Sequence, residues 1–307
     1  MNMLVALLST AALSIAVPAF AQEQASASPQ TPAELGDVEV TGRRLEPQVQ
    51  SFIDDIAAPP RGRGLARWDR TICVGVANMD ERYAQFMVDR VAKAAVDVGL
   101  EVGEPGCRPD IMVVASADAK ALASALVDDN PQGFRPARSN TDLGSQALRR
   151  FKTTDAPVRW WHVSLPVSAD TGEIAVRLDN EEPPTITVRD ASRLRSNIRD
   201  DLARVIIILD VSKIGTVGFG ALSDYVAMIA LAQVEPDADA NGYDSVLNLF
   251  SPEADRLAGL TQWDRDYLAS LYRANRNRAR PTQQARDIVR GMVGERDDRV
   301  EANDRQP

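Results

Sequence analysis

An α+β fold, with a mixed sheet packed against a few helices, is predicted for this chain from three stretches. Arg204-Val-Ile-Ile-Ile-Leu-Asp210 holds five consecutive apolar residues, the mark of a strand buried on both faces. Leu222-Ser-Asp-Tyr-Val-Ala-Met-Ile-Ala-Leu-Ala-Gln-Val234 reads as an apolar helix. Between Glu81 and Gly99, Phe86, Val88, Val91, Ala94, Ala95 and Val98 recur at helical spacing and the run stops at a glycine, a common helix C-terminus.

The remaining elements follow in order. Residues 1–21 combine an apolar run, Leu4 to Val17, with an Ala19-Phe20-Ala21 cleavage pattern and read as a secretory signal peptide. The run is too short and too rich in Ala and Ser for a good membrane span, so no span is expected after cleavage. Residues 22–64 read as a disordered leader and linker, rich in Gln, Ala, Ser and Pro and ending in Ala57-Ala-Pro-Pro-Arg-Gly-Arg-Gly64. A single α+β domain is expected over 65–272. Arg67 to Val76 alternates as a strand does, and Asp110-Ile-Met-Val-Val-Ala115 is a short buried strand. Ala117 to Val127 reads as helix and Asn130 to Asp155 as a long polar excursion. Val158 to Leu165 is a strand with aromatic residues on both faces, with Glu173–Leu178 and Thr185–Val188 as pairing candidates. Residues 273–307 form a polar, Arg-rich tail with one short helix near Thr282 to Met292.

The leader places the mature chain in an oxidising compartment, periplasmic or secreted, where a pair of cysteines usually forms a disulfide. Cys73 and Cys107 are such a pair; two buried thiols are the other reading. The net charge of -9 argues against general nucleic-acid binding, which needs a basic footprint. Lys93, Lys120, Lys152 and Lys213 are the four lysines in the chain, so the arginine excess is read as base composition.

The order strand, helix, strand, further strands, apolar helix, Ser245-Val-Leu-Asn turn and closing Leu260-Thr-Gln-Trp-Asp-Arg-Asp-Tyr-Leu-Ala-Ser-Leu-Tyr272 resembles the matrixin branch of the metzincins. There a helix bearing the zinc histidines is followed by a Met-turn and a final helix. The chain also resembles secreted proteobacterial proteins of unknown function that share the opening Arg-Trp, the paired cysteines and the closing Leu-Thr-x-x-Asp helix, and that resemblance implies a Cys73–Cys107 disulfide. The zincin motif His-Glu-x-x-His lets two imidazoles one turn apart share a metal whose water the Glu activates. At those positions stand Asp224, Tyr225, Val226, Ala227 and Met228; Leu247 takes the place of the Met-turn methionine, and Pro236 and Asp237 that of a third histidine. The resemblance thus implies a degenerate zincin-like scaffold, a pseudoenzyme whose cleft beside the apolar helix is lined by Asp224, Tyr225 and Met228. Asp210 is a further candidate there.

Other chemistry is thin. Asp237-Ala-Asp-Ala-Asn-Gly242 matches the first half of a calcium loop, with Asp237, Asp239 and Asn241 as ligands, but Asn248 stands where a bidentate Glu belongs. Such a site would be weak; an acidic Asn-Gly turn is the plainer reading. Gly215-Thr-Val-Gly-Phe-Gly220 joins strand to helix but lacks the order and the Lys of a phosphate loop. No G-x-S-x-G or S-x-x-K arrangement exists, and His162, the one histidine, reads as a structural core residue. No catalytic residue is assigned. Val38-Glu-Val-Thr-Gly-Arg-Arg44 resembles a TonB box, and its Val38, Val40 and Thr41 suit strand addition to a partner. The reading is a non-catalytic envelope module that binds an unknown envelope protein or ligand, with no cofactor beyond that weak calcium. The alternatives are a hydrolase using acidic residues such as Asp210, Asp224 or Asp244, with or without a divalent cation, and an accessory factor of TonB-linked transport.

Overall fold

The structure, a computed structural model, describes residues 37–305 except 139, 190–191 and 252–256. The expected signal peptide and leader residues 22–36 lie outside them. From residue 37 onward the leader expectation is corrected, because Asp37–Ile56 is a helix, α1. Leu45, Val49, Phe52, Ile53 and Ile56 on it are buried in the main core, an apolar stripe at helical spacing. Pro47 sits inside the helix, removing one backbone donor and disguising the pattern as linker. The stripe is anchored at Phe52, whose ring meets Tyr243, Trp263 and Tyr267 edge-on at 5.0, 5.4 and 5.2 Å.

The first extended segment is split at Cys73 into β1 (Thr71–Ile72) and β2 (Val74–Ala77). Helix α2 (Glu81–Asp97) follows, its N-terminus capped by Asp80 and its inner face buried through Met87, Val91, Ala94 and Ala95. It ends as its glycine promised. Gly99 lies at φ 86, and the amides of Gly99 and Leu100 close onto the carbonyls of Val96 and Ala95, the double bond of a Schellman cap. Strand β3 (Glu101–Val102) pairs in parallel with β1. Cys107, just beyond it, is bonded to Cys73 with a Cα–Cα distance of 6.0 Å across 34 residues of chain. Closing a loop of that length stabilises the fold by about 4 kcal/mol in the chain-entropy account.

Strands β4 (Ile111–Ser116), β5 (Val158–Ser168) and β6 (Ile198–Asp210) complete a four-stranded sheet of order β2-β4-β6-β5. The first three of that order run parallel and the edge strand β5 runs antiparallel to β6. A mixed sheet packed against helices is therefore the architecture, and it matches the α+β expectation. Helices cover both faces. The face carrying Trp160, Val205 and Ile207 belongs to the main core with α2, and the face carrying Trp161, Val163 and Ile208 forms a second core. Adjacent tryptophans thus serve opposite layers, as the two-residue period of a strand requires.

The second core is built by α3 (Ala119–Asp129), α4 (Pro131–Phe134) and α5 (Gly144–Thr153). The segment 130–155, expected as a polar excursion, therefore contains α4 and α5; Phe134 and Phe151 drive its burial. β5 finds its partner in β6 over its whole length, while Thr185–Val188 forms no strand and Glu173–Leu178 contributes one isolated bridge, Val167 to Ile174. Beyond β6 come α6 (Phe219–Leu231), a 3-10 turn at Val246–Asn248, α7 (Gln262–Arg273) and α8 (Pro281–Asp304). The helix expected near Thr282 to Met292 is present as the longer α8, which packs along α7 and buries Ile288, Val289 and Met292.

Replacing Phe52 with Ala is expected to cost about 3–5 kcal/mol of unfolding free energy in chemical denaturation. An unchanged midpoint would show that α1 is a linker after all.

Candidate functional site

Every residue from Ala221 to Val234 is buried, so α6 lies in the core on all sides. The last four carbonyls of a helix lack partners within it, and here water cannot reach them. Met228 O accepts from the Ala232 amide. Ile229 O is met by His162 Nε2 at 2.8 Å, Ala230 O by Trp68 Nε1 at 2.8 Å and Leu231 O by the Tyr272 hydroxyl at 2.9 Å. Trp160 Nε1 then donates to Val234 O at 2.9 Å. A carbonyl only accepts, so His162 carries its proton on Nε2. Burial pulls its pKa down to about 4, against the opposing pull of the Ile229 hydrogen bond. It is a neutral structural donor.

The positions expected to line a cleft on this helix are filled instead. Met228 has no exposed surface. Tyr225 stands edge-on between Trp160 and Phe250, and burial raises its hydroxyl above the ordinary tyrosine range. Asp224 is held by Arg90 of α2, with Nε to Oδ1 at 2.8 Å and Nη2 on Oδ2, and its Oδ2 also accepts the Leu260 amide at 2.9 Å. Gly259 lies against it; a Cβ there would overlap Asp224 Oδ2. The carboxylate is therefore a clasp joining α2, α6 and the approach to α7.

Asp210 is at the far end of β6 and shares no partner with Asp224. Its Oδ1 accepts the Ser212 hydroxyl at 2.6 Å, and Lys213 Nζ lies 3.3 Å from Oδ2. Desolvation pushes this carboxyl up, but the Ser212 and Lys213 bonds outweigh it and hold it below the usual value. The backbone carbonyl of Asp244 accepts from Thr261 Oγ1 at 2.5 Å. Asp264, the Asp of the Leu-Thr-x-x-Asp pattern, is the buried centre of the neighbouring network: it accepts from Ser245 Oγ at 2.6 Å, Val246 N at 2.8 Å and Thr261 N at 3.0 Å. It thereby caps α7 and pins the 3-10 turn. Burial raises its pKa despite those bonds.

In the acidic loop, Asp237 Oδ2 sits 2.9 Å from Arg150 Nη1 and Asp239 Oδ1 accepts the Asn241 amide at 2.9 Å. Two of the three expected calcium oxygens are thus already engaged. Among the described residues no group of three His, Cys, Asp or Glu is placed to hold a metal. Val38, Val40 and Thr41 fall within α1, so the extended form expected for strand addition is replaced by helix.

Of the expected residues, Asp244 lines a cleft of about 560 Å³ together with Gln262, Trp263 and Asp266. A cleft of about 740 Å³ separates the start of α8 from α1, with Arg278, Arg286, Asp287 and Arg290 facing Glu46 and Gln50 across it. A smaller cavity of about 140 Å³ shares Arg278 with it and adds Arg63, Asp200, Arg276 and Arg280. The sequence signal for these residues was only the arginine density after residue 273. No family model, curated protein or solved structure matches this chain.

Asp224→Asn should lower stability by about 2–3 kcal/mol, less than a fully buried pair because Arg90 is 37% exposed; an unaltered unfolding curve would refute the clasp. The folded chain resists protonating His162 between pH 6.5 and about 4, whereas the unfolded chain does not. Stability should therefore fall as pH drops through that window, by up to about 3 kcal/mol. Denaturation midpoints across it should slope less steeply for His162→Gln than for the parent, and equal slopes would exclude the histidine as the cause.

Proposed function

We propose that this chain is a non-catalytic binding protein of the cell envelope, built on a degenerate zincin-like scaffold. The observation that carries this reading is the engagement of Asp224. The residue at the first zinc-histidine position of the resemblance spends both carboxylate oxygens on Arg90 and the Leu260 amide. A guanidinium thus supplies, from the protein itself, the positive charge that a metal would bring. The succession of α6, the turn at Val246–Asn248 packed against it and the closing α7 supports the scaffold, with Leu247 packed onto the core at the Met-turn position.

The secreted, periplasmic side of the reading rests on the leader pattern of residues 1–21 together with the Cys73–Cys107 disulfide. Among the described residues no helix is long and apolar enough to cross a membrane. A hydrolase reading would need two carboxylates working together, or a divalent cation held between them. Asp210 and Asp224 are instead each matched to a cation of their own, Lys213 and Arg90. The TonB-linked reading would need Val38 to Arg44 to leave its helix before pairing with a partner's sheet.

Elemental mass spectrometry of the chain purified from an oxidising compartment, with zinc and calcium offered in turn, tests the proposal. The expected result is substoichiometric zinc, with or without weak calcium. One zinc per chain, lost in Asp224→Ala, would mean that the clasp opens to hold metal and that the protein is no pseudoenzyme.

A further inference from the structure

We propose that the cleft between α1 and α8 is a binding site for a phosphate ester, held by Arg278, Arg286 and Arg290. The inference rests on the binding-protein reading and supplies its ligand class. Its first ground is charge distribution. The chain carries a net charge of -9, yet the cleft and its adjoining cavity are lined by six arginines against three acids, Glu46, Asp200 and Asp287. Arg63 is paired with Asp200 and Arg276 with Asp69 and Asp201, so the positive charge left over sits on the Arg278–Asp287–Arg290 group and on Arg280 and Arg286, which have no carboxylate partner among the described residues.

The second ground is pairing. Asp287, the carboxylate between the cleft arginines, already receives Arg278 through Nε at 2.6 Å and Nη2 at 3.1 Å, and Arg290 through Nη2. Desolvation pushes Asp287 up, but these two guanidiniums prevail and keep it ionised well below the usual range. Arg286 has no carboxylate partner among the described residues. It stands four residues before Arg290, both exposed on the outer face of α8, a like-charge spacing that destabilises a helix by a few tenths of a kcal/mol. An anion seated between them relieves that repulsion.

Shape selects the ligand further. The cleft volume of about 740 Å³ falls in the range of small-molecule sites. Pro47 and Val289 give it apolar wall, which favours an ester with a carbon body over a bare ion. A tetrahedral phosphoryl group offers three oxygens to several guanidinium forks at once, one more than a carboxylate has. The same phosphate chemistry is presented by a soluble phosphate ester and by an anionic lipid headgroup.

Calorimetric titration with glycerol 3-phosphate, alongside co-sedimentation with phosphatidylglycerol and phosphatidylcholine vesicles, tests the site in the full mature chain. Saturable binding of the soluble ester, or capture by phosphatidylglycerol but not phosphatidylcholine vesicles, is expected, and which of the two occurs identifies the source. Arg286→Ala combined with Arg290→Ala should weaken that binding at least tenfold while leaving the thermal melt unchanged. Arg265→Ala, an exposed arginine outside the cleft, should bind as the parent does. No binding in either arm, or equal loss in Arg265→Ala, overturns the site. Failure of this kind is separate from failure of the binding-protein reading, which zinc content reports independently.

Discussion

The carbonyl end of α6 governs this molecule. A helix with no solvent-facing side leaves its last-turn carbonyls in an apolar interior, where each unpaired group costs about 1–3 kcal/mol. The chain answers with donors from three distant places: Trp68 ahead of β1, His162 on the edge strand β5 and Tyr272 at the end of α7. Each donor can reach only if its own element is docked in one position. Satisfying the helix therefore sets the sheet edge, the chain entry and the closing helix together. The exit of α1 is tied to the same point, since the Glu235 amide donates to Ile56 O and the Ala58 amide to Gln233 O.

The side-chain amides extend this logic. Gln233 Oε1 accepts the Ala66 amide, and Gln284 both accepts from Leu65 N and donates to Leu65 O. The segment entering the domain is thus bonded on one side to Gln233 just past α6 and on the other to α8, much as a strand is bonded by its neighbours. Buried polar groups in this protein, Asp224 and Asp264 included, act as fasteners between elements. The pairing is not complete, since the Tyr267 hydroxyl and Ser270 Oγ are buried without a partner among the described residues, and an open cleft lies at the seam between α1 and α8.

Much of the central scaffold was legible in the residues. The strand at 204–210 and the helix at 222–234 announce themselves by unbroken hydrophobicity, α2 by its period and terminal glycine, and His162 by its place between large apolar neighbours. The failures share one cause. Helix α1 interrupts its apolar stripe with Pro47, and α5 is a largely polar helix whose few buried residues, such as Phe151, matter only because a partner surface waits for them; the helix expected at 282–292 is present as α8, longer and packed. Local pattern cannot distinguish such a helix from a linker, since most of its stability comes from packing.

The candidate site divides in the same way. The sequence by itself determined that the histidines of a zincin are missing, because residue type is all that statement needs, and it determined which cysteines were available to pair. It placed Asp224, Tyr225 and Met228 on one helix, but not what they face. Only the tertiary structure decided that Arg90, 134 residues earlier, would neutralise Asp224. Only it, too, brought Glu46 and Gln50 opposite Arg286 and Arg290 to make a cleft. Charge pairing and cavity shape depend on distances between elements far apart in the chain, and those distances are products of how the hydrophobic faces pack, which no single stretch of residues encodes.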